Sequence, residues 1–163
     1  MKLETFKAAY FDLLDETFEH VHGIYLDKGT SLLETLAGVS AEVASRAVSK
    51  NGTTIAAHVK HVEFYLTVLE QALSGKDPGK VDWNEIWRTT RGVSESEWQA
   101  LVGKLKETYR RLLGKLKSIE TWDEEHEIWD PLAIVTHTAY HLGAIRQALR
   151  VVGESGAGNE AVG

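Results

Sequence analysis

The sequence has 163 residues, a length typical of one domain. Hydrophobic residues make up 43% of the chain and charged residues 26%, which excludes a collagen, a mostly disordered chain and a coiled-coil rod. The formal net charge is −6, so the chain lacks the basic surface that nucleic-acid binding requires and suits an anionic membrane surface poorly. The absence of cysteine excludes disulfides, thiolate zinc sites and cysteine nucleophiles.

Neither a membrane span nor a signal peptide is evident from the sequence. No apolar run approaches the ~20 residues of a span, and the charged start Met1-Lys2-Leu3-Glu4 leads into no apolar signal core. We therefore expect a cytoplasmic protein. Residues 1–153 are assigned to a single domain, and the glycine-rich, polar residues 154–163 are predicted to form a flexible tail.

The first third of the chain predicts one long helix and one short helix. Apolar residues at spacings of three and four predict a helix from Leu3 to about His22, ended by Gly23. A capping-box pattern begins at Ser31 and predicts a short helix that ends near Gly38. Residues 40–48 leave the secondary structure open.

A second long helix is predicted after the Asn-Gly pair at residues 51–52. Its N-cap is Thr53 or Thr54, and its apolar stripe runs to about Ser74. The connection that follows is rich in glycine and proline. It is followed by a predicted short helix that carries Trp83 and Trp87, one turn apart.

Two more long helices complete the predicted fold. Ser94 and Glu97 form a second capping box and begin the third long helix. Asp130 followed by Pro131 is typical of a helix N-terminus, and the fourth helix is predicted to run to about Val152. No segment alternates strictly between apolar and polar residues. The sequence therefore predicts an all-α four-helix bundle with short extra helices in its connections.

Two histidines of the fourth helix are the first candidate ligands. His137 and His141 are four residues apart, so they lie on one helix face, at the centre of an apolar stripe. An unpaired polar group in a core costs about 1–3 kcal/mol. A divalent metal would satisfy both imidazoles at once, whereas a hydrogen-bonded aromatic core is the alternative.

The second long helix offers a third histidine. Its predicted solvent-facing side is marked by Lys60, Glu63, Thr67 and Glu70. His58 and His61 both lie on the opposite side, and periodicity alone marginally favours His58 as the ligand. Three histidines and a water form the open arrangement of catalytic zinc sites.

The remaining histidines are expected to lie elsewhere. His20 and His22, near the end of the first helix, are predicted to be surface residues. His126 lies in an acidic segment before the fourth helix. It is expected either in solvent or at the mouth of the site.

Two segments carry recognisable motifs, TIAAHVKHVE at residues 54–63 and HTAYHLGAIRQ at residues 137–147. Both resemble the DinB-like (YfiT-like) family of metalloproteins, which are four-helix bundles. The resemblance extends over about residues 3–152. It implies that His61, rather than His58, completes a metal triad with His137 and His141.

The resemblance also implies that His58 lines the cavity or contacts a metal ligand without binding the metal itself. Many family members carry a histidine directly before the last ligand, where this chain has Tyr140. The metal triad is intact despite this difference. Tyr140 is therefore kept as a candidate pocket residue, together with Trp83, Trp87 and His126.

The family implies a divalent metal, most often zinc or nickel, and frequent homodimers. Its characterised members include thiol-dependent transferases and isomerases, and some members are described as hydrolases. We therefore expect a small-molecule substrate, such as a low-molecular-weight thiol. No carboxylate of the sequence stands at an obvious spacing for a general base. The alternatives are a closed structural metal site and a ligand-binding bundle without catalysis, with an apolar pocket built from the tryptophans of the connections: Trp83, Trp87, Trp122 and Trp129.

Overall fold

The computed structural model describes residues 2–50 and 52–157, and within these ranges the chain is all-α. The one β-type contact in them is an isolated bridge between Ala47 and Thr54. Seven helices are present in the described part: α1 Leu3–Phe18, α2 Leu32–Ala37, α3 Ala41–Ser45, α4 Ile55–Ala72, α5 Glu85–Thr89, α6 Glu95–Ser118 and α7 Glu125–Ala157. None of these helices has the length and apolar character needed to cross a membrane.

Three helix starts follow the capping signals of the sequence. Ser31 and Ser94 each accept a hydrogen bond from the backbone N–H three residues later, where a glutamate returns the bond, so both predicted capping boxes form. At α4 the N-cap is Thr54, whose side-chain oxygen accepts from the Ala57 N–H at 3.1 Å. The start of α4 fixes where its histidines fall around the helix axis.

Helix α1 ends about one turn earlier than predicted, because the segment that follows it hydrogen-bonds to a buried carboxylate of the helix. Glu16 is fully buried, and its two oxygens accept four backbone N–H groups, from His22, Ile24, Tyr25 and Leu26. Gly23 makes this turn possible with a φ of +79°, a conformation that a residue with Cβ rarely adopts. The chain therefore turns after Phe18, where the apolar spacing had predicted more helix.

Helix α7 begins before the predicted N-cap at Asp130. The Glu127 carboxylate accepts hydrogen bonds from the backbone N–H groups of Asp123 and Glu124, so an earlier turn has its own cap. Pro131 therefore lies inside the helix, where its missing N–H removes one helical hydrogen bond. At its other end α7 continues past Gly153 to Ala157, and the rest of the predicted tail lies outside the described residues.

Helix α4 packs against both α6 and α7, while α1 packs against α2 and α7. Part of the side of α4 predicted to face solvent instead faces α6, although Lys60 is exposed as predicted. Glu63 is only 3% exposed and accepts from Thr108 at 3.2 Å, and the Lys104 Nζ lies 3.1 Å from its carboxylate. Farther along, Arg111 pairs with Glu70 through two hydrogen bonds. Polar residues thus join α4 to α6, whereas the side of α4 that carries His61 packs against α7.

Candidate metal centre

Three histidines from two helices meet in the structure. One ring nitrogen from each of His61, His137 and His141 lies within 4.8 Å of the other two. His61 comes from α4, and the other two lie one turn apart on α7. The ring centroids are 4.5 Å apart for His137 and His141, 4.8 Å for His61 and His141, and 5.1 Å for His61 and His137. A single ion between them could contact all three rings.

Two of these rings have buried nitrogens without a hydrogen-bond partner in the described part of the chain. They are the Nδ1 of His61 and the Nε2 of His137. A buried polar atom left unpaired costs about 1–3 kcal/mol, so native structures rarely tolerate two in one place. A divalent metal accepts lone pairs from neutral imidazoles and would remove both penalties. The donor set therefore fits a metal such as zinc.

The surroundings keep these imidazoles neutral. Burial lowers the pKa of His61, and burial together with the neighbouring His61 lowers the pKa of His137 to about 4. Burial and the nearby histidines lower the pKa of His141 to about 3. Only a neutral imidazole has the lone pair that a metal requires. The protein therefore holds these side chains in the ligating form at neutral pH.

His58 lies beside this group and is not part of it. Its Nδ1 is 3.0 Å from the Nδ1 of His141, and its Nε2 is 3.0 Å from the Oγ1 of Thr53. The structure thus brings together the triad implied by the family resemblance. His58, which the helical wheel marginally favoured as a ligand, instead contacts the Nδ1 of His141.

Aromatic side chains pack against the histidines. The Tyr65 ring stacks on His137 with centroids 3.8 Å apart, and Trp87 lies 4.7 Å from His61. Trp83 is 6.2 Å from His61 and is 38% exposed. Tyr140 meets His141 edge-on at 5.0 Å and is 73% exposed. The rings next to the histidines therefore range from half-buried to largely exposed, so the site extends towards the surface.

The other two tryptophans of the connections lie away from the histidines. Trp122 is buried in edge-to-face contacts with three aromatic rings of α1, those of Phe6, Tyr10 and Phe11. Trp129 lies on α7 and is 61% exposed. Of the four tryptophans, Trp83 and Trp87 thus contact the site, whereas Trp122 packs in the core.

Asp130 is a carboxylate on the same helix as two of the candidate ligands. Asp130 lies seven residues, or about two turns, before His137 on α7. Burial raises the pKa of Asp130 and nearby His126 partly offsets this, while burial and the charge of Asp130 together raise the pKa of Tyr65. In the sequence Asp130 was predicted only as a helix N-cap.

The predicted surface histidines are indeed exposed. His20 and His22 both contact the Asp15 carboxylate, at 3.5 and 2.7 Å. Asp15, Glu19 and His20 also come within metal-binding distance of one another, but this group is partly or fully exposed, and Asp15 already pairs with His20 and His22. His126 is exposed on the first turn of α7 and does not belong to the buried triad.

Comparisons of the sequence with family models, with curated proteins and with solved structures found no match.

Proposed function

We propose that this chain is a metalloprotein of the DinB-like type that binds one divalent ion through His61, His137 and His141. The observation that carries the proposal is the convergence of three buried or half-buried histidines whose ring nitrogens lie within 4.8 Å of one another. Two of the three rings have an unpaired buried nitrogen. In this proposal the long helices α1, α4, α6 and α7 form a four-helix bundle, whose core is a common place for metal sites.

We further propose that the site is catalytic, of the thiol-dependent transferase or hydrolase type, with zinc or nickel as the metal. Three protein ligands leave a position open, and a metal there lowers the pKa of a bound thiol or water. Trp83 and Trp87 supply an apolar wall that would hold a small substrate and exclude water.

Elemental analysis of the purified protein tests the metal proposal. We expect about one equivalent of a divalent ion in the wild type and in His126→Ala, the exposed control. His61→Ala, His137→Ala and His141→Ala should each lose most of it, with folding verified by circular dichroism. A wild type that takes up no metal, or a His141→Ala variant with wild-type content, would contradict the proposal.

A separate assay tests the catalytic part. The metal-loaded protein is incubated with low-molecular-weight thiols and electrophiles, and with ester and amide substrates in water. Turnover that disappears in His141→Ala supports an enzyme. Saturable binding without turnover supports the ligand-binding alternative, for which the aromatic walls would be sufficient. A metal inaccessible to any added thiol would instead indicate a structural site.

A further inference from the structure

A continuous hydrogen-bonded chain runs from the start of α4 to the candidate metal centre. Thr53 Oγ1 lies 3.0 Å from the Nε2 of His58, and the Nδ1 of His58 lies 3.0 Å from the Nδ1 of His141. We propose that His58 and Thr53 are positioning residues, which hold His141 in the tautomer whose Nε2 can bind the metal. This inference rests on the proposed metal site, and it adds two residues that do not themselves touch the metal.

The two nitrogens that face each other can share only one proton. A neutral imidazole carries a single N–H, on either Nδ1 or Nε2. If the Nδ1 of His141 donates to His58, the Nε2 of His141 keeps its lone pair for the metal. His58 then carries its own proton on Nε2, which donates to the Thr53 hydroxyl oxygen. The reverse arrangement would place a proton on the Nε2 of His141 and block ligation.

Of the three candidate ligands, only His141 has such a partner. The Nδ1 of His61 and the Nε2 of His137 have no hydrogen-bond partner among the described residues, and the two rings contact Trp87 and Tyr65 respectively. Trp87 also meets His58 at 5.2 Å, which limits how far the His58 ring can turn. Metal-ligating histidines generally donate their other ring N–H to a fixed acceptor. His58 supplies that acceptor for His141.

The loop before α4 places Thr53 for this role. The Gly52 N–H donates to the Ser49 carbonyl at 2.9 Å, and a Cβ at Gly52 would come within 2.8 Å of the Ser49 backbone nitrogen. Glycine is therefore required for this close turn. Thr54 then caps α4, so the residue just before the cap, Thr53, lies beside the first turn that carries His58.

Substitutions with matched rescue variants test the chain. His58→Phe keeps a ring and removes both nitrogens, whereas His58→Asn retains a short side-chain acceptor. Thr53→Val removes the hydroxyl at constant shape, and Thr53→Ser restores it. Zinc affinity is measured by competition with a chelator. We expect His58→Phe to weaken zinc binding by about 10–100-fold, the range for a residue that orients a ligand, and Thr53→Val to weaken it less. His58→Asn and Thr53→Ser should recover part or all of the loss.

A double substitution asks whether Thr53 acts through His58. If it does, Thr53→Val should lower zinc affinity in the wild-type background and have no further effect in the His58→Phe background. Equal effects in both backgrounds would contradict the proposed chain. A wild-type affinity in His58→Phe would also contradict it. A loss in His58→Phe as complete as in His141→Ala would make His58 a ligand and overturn the positioning role.

The tautomer itself is measured by ¹⁵N NMR of the metal-free protein. We expect His141 to be protonated mainly at Nδ1 in the wild type and to become a mixture of tautomers in His58→Phe. A wild type with the proton mainly on the Nε2 of His141 would overturn the inference. Because this measurement needs no metal, it separates the two proposals. A protein that binds no zinc but shows the His58-dependent tautomer would contradict the metal function and support the hydrogen-bond chain.

Discussion

At the scale of single residues, close packing of histidines makes the metal-free site sensitive to acid. Burial and neighbouring histidines lower the pKa of His137 to about 4 and that of His141 to about 3, against ~6.5 in an unfolded chain. Above pH 6.5 both states hold these rings neutral. Below it the unfolded chain takes up protons that the folded chain cannot, so the free energy of unfolding falls as the pH decreases.

We therefore expect the melting temperature of the metal-free protein to fall as the pH is lowered from 6.5 towards 4. A variant that replaces both His137 and His141 with leucine should show a flatter pH profile. The exposed-site variant His126→Ala should follow the wild type. The measurement is thermal unfolding by circular dichroism at a series of pH values in the presence of a chelator. Parallel profiles for the wild type and the double variant would contradict the explanation.

The same pKa values define when protons should displace the metal. Ligating imidazoles must be neutral, so protons compete with the ion only as the pH approaches the pKa values of the folded protein. We expect zinc bound to this site to be largely retained at pH 6 and to be released as the pH falls through about 4 towards 3. Equilibrium dialysis at fixed free zinc, followed by elemental analysis, measures this directly. Zinc content unchanged at pH 3 would count against a site made only of histidines.

At the scale of helices, local signals were more informative than long-range ones. The capping boxes at Ser31 and Ser94 are contained within four residues, and both form as predicted. The burial of Glu63 could not be predicted this way, because its partners Thr108 and Lys104 lie on another helix more than forty residues away. The charged residues on this side of α4 were predicted to be solvated. Here a polar network joins two helices instead.

The candidate site shows the same difference between local features and long-range ones. The spacing of His137 and His141, combined with the family motif, predicts the triad that the structure brings together. Spacing cannot predict that Tyr65 stacks on His137, since this contact depends on how α4 and α7 pack. It also cannot show that Thr53 reaches His58, since that depends on the turn at Gly52. The candidate ligands are thus predictable from the sequence, whereas the contacts around them depend on tertiary structure.

The turn after α1 offers a test of one of these long-range features. Burial by itself raises the pKa of Glu16, but four backbone N–H donors outweigh it and lower the pKa to about 2. Glu16→Ala removes the acceptor for all four N–H groups and should lower the free energy of unfolding by about 2–3 kcal/mol. Glu16→Gln keeps one acceptor oxygen and should cost less. Asp12→Ala, an exposed change on the same helix, is the control.

Urea denaturation measures these losses, and hydrogen exchange at Ile24, Tyr25 and Leu26 localises them. Because the folded pKa of Glu16 lies below its usual value of 4.5, its stabilising contribution should be complete above pH 4.5 and lost as the pH falls towards 2. This window lies mostly below that of the histidines. Unchanged exchange at these three amides in Glu16→Ala would show that the carboxylate does not hold the turn.

At the scale of the whole molecule, the proposed metal would connect helices that are distant in sequence. His61 lies on α4, whereas His137 and His141 lie on α7, with α5 and α6 between them along the chain. An unfolded chain lacks this arrangement, so metal binding should stabilise the folded state through mass action. At a free zinc concentration of one hundred times Kd, the gain is about 2.7 kcal/mol. For a chain of this size it corresponds to a rise in melting temperature of about 5–10 °C.

Differential scanning calorimetry with and without zinc measures this rise, and a chelator should reverse it. His141→Ala should show no rise, because only two histidines remain, one on α4 and one on α7, and two ligands are too few to hold zinc tightly. His126→Ala should behave as the wild type. His20→Ala, which removes a member of the exposed Asp15–Glu19–His20 group, should also keep the full rise. If the rise disappears in His20→Ala and persists in His141→Ala, zinc acts at the surface group, and the ion does not join α4 to α7.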